Sequence, residues 1–127
     1  MSAKNPTSSI AWFEIPVKNT ADSIVFYNTI LDTQLQEMKI NNFNMGMFPS
    51  DGGTSGAVID EGEPGKLGVT IYLDVEHIGI DFVLSKVEAA GGSIVLVKTK
   101  ITDDIGFTSL IKDIDGNTIG LHEPPKA

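Results

Sequence analysis

Two side chains in this sequence stand where acid/base chemistry could be done. Glu14 follows Trp12 by two residues in "AWFEIPV" (11–17), and His122 follows Gly120 by two in "DIDGNTIGLHEP" (113–124). An imidazole titrates near neutrality and a carboxylate can hold one of its tautomers, so the pair could serve as general acid and base. It could equally be a partial metal site, although a stable transition-metal site generally takes three or more convergent donors. The plainer readings are a hydrogen-bonded strand end for His122 and, for Glu14, a carboxylate that meets a donor or faces a wet cavity. Gly120 is conspicuous beside them. Glycine weakens a strand and packs nothing, so it is expected to leave an opening next to His122.

Alternation identifies what shares that opening, because side chains two apart on a strand lie on one face. In Ile10 to Val17, Phe13, Ile15 and Val17 form an apolar face, and Trp12, Glu14 and Pro16 take the other. Val69, Ile71, Leu73 and Val75 alternate likewise with Thr70, Tyr72 and Asp74. Trp12, Glu14 and Tyr72 therefore stand on chemically mixed faces, His122 shares a face with Gly120, and Met47 is one of the apolar residues of "NNFNMGMFP" (41–49) expected to line a pocket. Aromatic surface with a few polar groups suits a small organic molecule. A methionine adapts to varied ligands but fills cores as readily. His77, in "VEHIG", reads as an exposed turn residue. The loops "SDGGTSGA" (50–57) and "TDDIGFTS" (102–109) fall at equivalent places before a strand and could form a rim.

The elements that must position these residues are written twice. "WFEIPVKNTADSIVFYNTIL" (12–31) and "TIYLDVEHIGIDFVLSKVEA" (70–89) match in pattern at an offset of about 58 residues, too long for a solenoid repeat. Each copy opens with a strand and continues into a helix. Asn19 or Thr20 can cap the first, which carries Ile24, Phe26, Tyr27, Ile30 and Leu31. The second carries Ile78, Phe82, Leu84 or Ser85, and Val87 or Ala89, and "AAGG" (89–92) stops it. Three strands are expected after each helix, at roughly 34–40, 43–48 and 55–59, then 93–99, 106–112 and 118–123. The pattern predicts an α+β protein of two βαβββ modules, about 8–60 and 67–124, joined by an exposed linker at 61–66 within a single domain, 1–127. Both helices are expected to cover the apolar strand faces.

Composition removes several function classes. With no cysteine, there are no disulfides, thiolate metal sites or cysteine nucleophiles. The net charge of −8, and basic residues that are all lysine, oppose nucleic-acid binding. No apolar run is long enough to span a bilayer, and the N-terminal MSAKNPTSS lacks a signal peptide's apolar core, so a cytoplasmic location is expected. Neither glycine-rich loop matches a nucleotide-binding fingerprint, and no cofactor is expected.

Several words in this order resemble the vicinal oxygen chelate superfamily, which includes glyoxalase I, extradiol dioxygenases and the fosfomycin and bleomycin resistance proteins. They are "WFEIPV" (12–17) with "FYNTIL" (26–31), "YLDVEHI" (72–78) with "KVEAAGG" (86–92), and "DIDGNTIGLHEP" (113–124), which is similar to the family's DPDGN turn and closing strand. The resemblance covers about residues 8–124 and implies a glyoxalase-like curved mixed sheet with helices on its outer face. Enzymes of that family hold a divalent metal on the concave face by His or Glu side chains. The resemblance places those ligand positions at Trp12, Thr70 and Gly120, and near Gly56 to Ile59, where no side chain is a good metal donor. It therefore implies a metal-independent protein that binds a small, partly apolar organic molecule, as antibiotic-binding members do. It also implies that Trp12, Glu14, Tyr72 and His122 look into one concave cavity around Gly120, completed either in a homodimer, where modules from two chains join, or by the two modules of a single chain. Two alternatives stay open: a lyase, isomerase or dioxygenase-type enzyme using Glu14 and His122, and a ligand-free interaction module.

Overall fold

The computed structural model of the chain describes residues 12–40, 42–51, 55–65 and 70–126. Ile10, Val69, the end of the linker at Lys66 and the expected starts of both modules, at 8 and 67, lie outside the described residues. The element order is β1 (Trp12–Pro16), α1 (Thr20–Leu31), β2 (Gln36–Ile40), β3 (Phe43–Met47) and β4 (Ser55–Ile59), followed by β5 (Ile71–Asp74), α2 (Ile80–Val87), β6 (Ser93–Thr102), β7 (Gly106–Lys112) and β8 (Thr118–Glu123). This is βαβββ twice. Each module makes a four-stranded mixed sheet, in the orders β1-β4-β3-β2 and β5-β8-β7-β6. In each, the opening strand runs parallel to the closing one and the other pairs are antiparallel.

The apolar strand faces meet the helices, as the alternation requires. Ile15 and Val58 from the first sheet, Leu73, Ile111, Ile119 and Leu121 from the second, and Val17 and Val75 just past β1 and β5 share one core with Phe26, Tyr27 and Ile30 of α1 and Ile80, Val83 and Val87 of α2. Asn19 caps α1, its side-chain oxygen accepting from the Asp22 N–H at 2.9 Å. The buried stripe of α2 differs from the expected one. Gly79, at φ +84°, turns the chain so that the helix begins at Ile80, and the inward positions become 80, 83 and 87, while Phe82 lies on the outside. Gly79 has no side chain to cap the helix, and Glu123 does so from β8: its Oε1 accepts from the Ile80 N–H at 2.7 Å. The edge strand β6 runs three residues beyond the expected end and carries three register shifts against β7, irregularities that discourage edge-to-edge association.

The closing turn "DIDGN" ties the modules together. Asp113 is buried, and its carboxylate accepts from the Tyr27 hydroxyl (2.8 Å), the N–H groups of Asp115 and Asn117 (2.9 Å each) and the Asn117 amide (3.0 Å). Asn117 also donates to the Pro16 carbonyl at 2.7 Å, and its Oδ1 accepts from the Gly65 N–H at 2.8 Å. One turn of the second module thus holds β1, α1 and the linker.

Burial first, and the neighbouring Asp113 charge second, push the Tyr27 phenol well above 10. An unfolded tyrosine ionises near 10, so above that pH the unfolded chain loses a proton that the folded chain keeps. Tyr27 therefore contributes stability that is fully present below about pH 10 and lost as pH rises towards its folded value. Urea titrations from pH 9 to pH 11 are expected to show stability falling more steeply in the native sequence than in Tyr27→Phe. Equal slopes would mean that the phenol is not the group responsible.

Candidate functional site

The faces turned away from the helices carry the candidate residues. On the first sheet, register places Glu14 beside Ala57, Ala57 beside Met47, and Met45 beside Ile59. Trp12, Glu14, Ile40, Phe43, Met45, Ile59 and Glu61 line an open recess of about 340 Å³ there. Met47 lies on this face but packs against Met45, Ala57 and Ile59 in a small cluster separate from the main core. The Trp12 indole N–H donates to Glu14 Oε2 at 3.3 Å, which sets ring and carboxylate side by side at the rim.

On the second sheet, Tyr72 lies opposite Gly120, and Asp74 opposite His122, which faces Thr108 on its other side. Tyr72, Asp74, Ile101, Thr108 and His122 line a second open recess of about 370 Å³. The two recesses share no lining residue. Trp12 and Glu14 are therefore not gathered with Tyr72 and His122 within one chain, contrary to the expected grouping. Alternation tells which face a side chain takes but not which sheet that face looks towards.

The expected opening at Gly120 is also corrected. A Cβ built there would fall on the Tyr72 ring, 2.7 Å from its Cγ and 2.5 Å from its Cε1, so the tyrosine lies across the glycine and takes its space. The glycine permits an aromatic ring to lie flat on the neighbouring strand, a cross-strand pairing that restores the packing a glycine lacks. Gly120→Ala should force Tyr72 off this seat and cost about 1–2 kcal/mol. In a Tyr72→Ala background the same substitution should cost markedly less. A double-mutant cycle by thermal denaturation measures the difference, and additivity would show that the ring is not what the new methyl meets.

His122 Nε2 lies 2.8 Å from the Ile105 carbonyl, in the loop between β6 and β7 that was expected to form a rim. A carbonyl only accepts, so Nε2 carries the proton that makes this contact. His77 lies in an exposed turn. Sequence reasoning did not select Ile40, Ile59, Glu61, Ile101 or Thr108. Asp74 and Thr108 could have been found from register, being two residues past Tyr72 and opposite His122.

A divalent metal does not fit the positions to which the sequence resemblance points. Trp12 offers an indole, Thr70 at best a weak hydroxyl, and position 120 is covered by the Tyr72 ring. Among the described residues no three His, Cys, Asp or Glu side chains come together in a metal-binding group.

Neither a protein-family model nor a curated protein matches the sequence. Solved structures do match in fold. A glyoxalase/bleomycin resistance protein from Albidiferax ferrireducens T118 superposes with a TM-score of 0.69 at 16% identity, over 91% of this chain and 99% of that one. A glyoxylase/bleomycin resistance protein/dioxygenase domain from Frankia sp. EAN1pec gives a TM-score of 0.67 at 19% identity, over 94% and 99% of the two chains. TnmS3, an antibiotic binding protein from Streptomyces sp. CB03234, gives 0.64 at 21% identity, over 95% and 99%.

Proposed function

We propose that this chain, which has the glyoxalase/bleomycin resistance/dioxygenase fold of the vicinal oxygen chelate superfamily, is a metal-independent binding protein for a small, partly apolar organic molecule. The observation that carries the reading is the Tyr72 ring on Gly120: where a metal-dependent relative of this fold needs a carboxylate, the chain presents an aromatic surface. Trp12 (41% exposed) and Tyr72 (56% exposed) offer rings to solvent on the faces that the core leaves free. An exposed aromatic over an apolar floor gains by covering a ligand, at roughly 25 cal/mol per Å² of apolar surface removed from water. The antibiotic-binding activity named for the Streptomyces relative is consistent with this use of the fold.

A single open recess covers one side of a ligand, whereas small-molecule sites usually enclose most of it. The proposal therefore includes a homodimer in which the first-sheet recess of one copy faces the second-sheet recess of the other. Met38, Ile40, Leu96 and Ile101, exposed apolar side chains, would be covered in such a pair. Light scattering coupled to size exclusion should give twice the 13.6 kDa chain mass. A monomer at micromolar concentration would remove the second wall from the proposal.

One observation weighs against acid/base chemistry by Glu14 and His122: His122 commits Nε2 to a backbone carbonyl. A thermal-shift screen of small organic molecules, with and without chelator, tests the function. A ligand that binds the native state raises the melting temperature, and here the shift should persist in chelator. A shift that appears only with added divalent metal would overturn the reading.

A further inference from the structure

We propose that the molecule held is an aromatic cation, an inference that rests on the small-molecule reading above and assigns the charge of its ligand. Among the described residues the first recess contains two carboxylates, Glu14 and Glu61, and no basic side chain. The second contains Asp74, with the His122 imidazole opposite it and no lysine among the described residues. The described lysines on the neighbouring strands are engaged away from these groups. Lys98 lies over the Phe107 ring, 4.6 Å from its centroid, and reaches Glu123 and Asp81 beside α2. Lys100 pairs with Asp103, and Lys39 alternates with the recess-facing Met38 and Ile40 on β2. The chain as a whole carries −8, so the surrounding field has the same sign.

The aromatic half of the ligand follows from the floor and the rim. Phe43, Met45 and Ile59 form an apolar floor on which a ring can lie. The N–H of Trp12 is directed to Glu14, which fixes indole and carboxylate together and leaves the indole π face to a ligand. Trp is the strongest of the aromatic partners for a cation, and a carboxylate beside it adds a direct ion pair. An anion placed there would meet two like charges with no compensating donor cluster. A neutral ring would gain the floor but neither charge term.

Trp12 is the only tryptophan, so its indole N–H gives a single side-chain resonance that reports on the recess. The test titrates the full-length protein with 1-naphthylmethylammonium, 1-naphthylmethanol and 1-naphthoate, one ring with charge +1, 0 and −1. The cation should move the Trp12 resonance and bind at least about tenfold tighter than the alcohol, with naphthoate weakest. In Glu14→Gln and Glu61→Gln the cation-to-alcohol affinity ratio should fall by about threefold each, and added salt should lower it in the native sequence. Equal binding of alcohol and cation, or a ratio unmoved by either substitution, would overturn the charge assignment while leaving a site for organic molecules. If none of the three probes moves the resonance of a protein with an intact folded spectrum, both the assignment and the recess itself are refuted.

Discussion

Replacing Asp113 with alanine is expected to lower stability by about 3–5 kcal/mol, the largest effect of any single substitution considered. The carboxylate is buried and accepts from Tyr27, Asp115 and both the backbone and side chain of Asn117. Removing it leaves the Tyr27 hydroxyl without its partner inside the core and frees the turn that holds the Pro16 carbonyl and Gly65. An unsatisfied buried donor costs about 1–3 kcal/mol, and the loosened junction between the modules adds to that. The melting temperature should drop by roughly 10 °C or more for a domain of this size. Asp113→Asn keeps an acceptor for Tyr27 and should recover part of the loss. A drop of only a degree or two in the alanine variant would show that the turn is not what joins the modules.

Trp12→Ala is expected to be the reverse: little change in stability and a large change in binding. The ring is substantially exposed and belongs to neither buried cluster, so truncation should move the melting temperature by only a few degrees at most. Aromatic anchors carry a disproportionate share of binding energy, and affinity for an organic ligand of the first recess should fall about tenfold to a hundredfold. Calorimetric titration of the variant beside the native protein measures both the affinity and, through the baseline scan, the stability. Unchanged affinity would move the site to the second recess, around Tyr72 and His122.

Much of this molecule was legible in its sequence because the signals were local. Alternation at 12–17 and 70–75 sorted core from exposed face, Asn19 marked a helix start, and the paired turns and glycines bounded strands such as Ser55–Ile59, Gly106–Lys112 and Thr118–Glu123. The placement of Trp12, Glu14 and Tyr72 on the faces away from the helices followed from that alternation, and that of His122 from its spacing to Gly120, which the family resemblance turned inward. What was not legible depended on contacts between distant segments. The stripe of α2 was displaced because Gly79 and Glu123, 44 residues apart in sequence, jointly set where the helix begins. The opening at Gly120 vanished because Tyr72, on the neighbouring strand, lies across it. The split of the candidate site into two recesses likewise depends on how the two sheets are disposed, which no strand's pattern encodes.

The "DIDGN" turn shows how a recognisable word can carry structure and not chemistry. Asp113 is consumed by four hydrogen bonds, and Asn117 bridges to the first module. Glu123, three residues beyond Gly120, serves the start of α2 and the Lys98 ammonium in the same way. The groups that line the open recesses are those on the exposed faces: Trp12, Glu14 and Glu61 beside the first sheet, and Tyr72, Asp74 and His122 on the second.

Metal independence is tested most directly by native mass spectrometry of the purified protein paired with elemental analysis of the same sample. No stoichiometric transition metal is expected, with any co-purified mass being organic and retained in chelator. A divalent metal at one equivalent per chain, removable by chelator with loss of ligand response, would contradict metal independence.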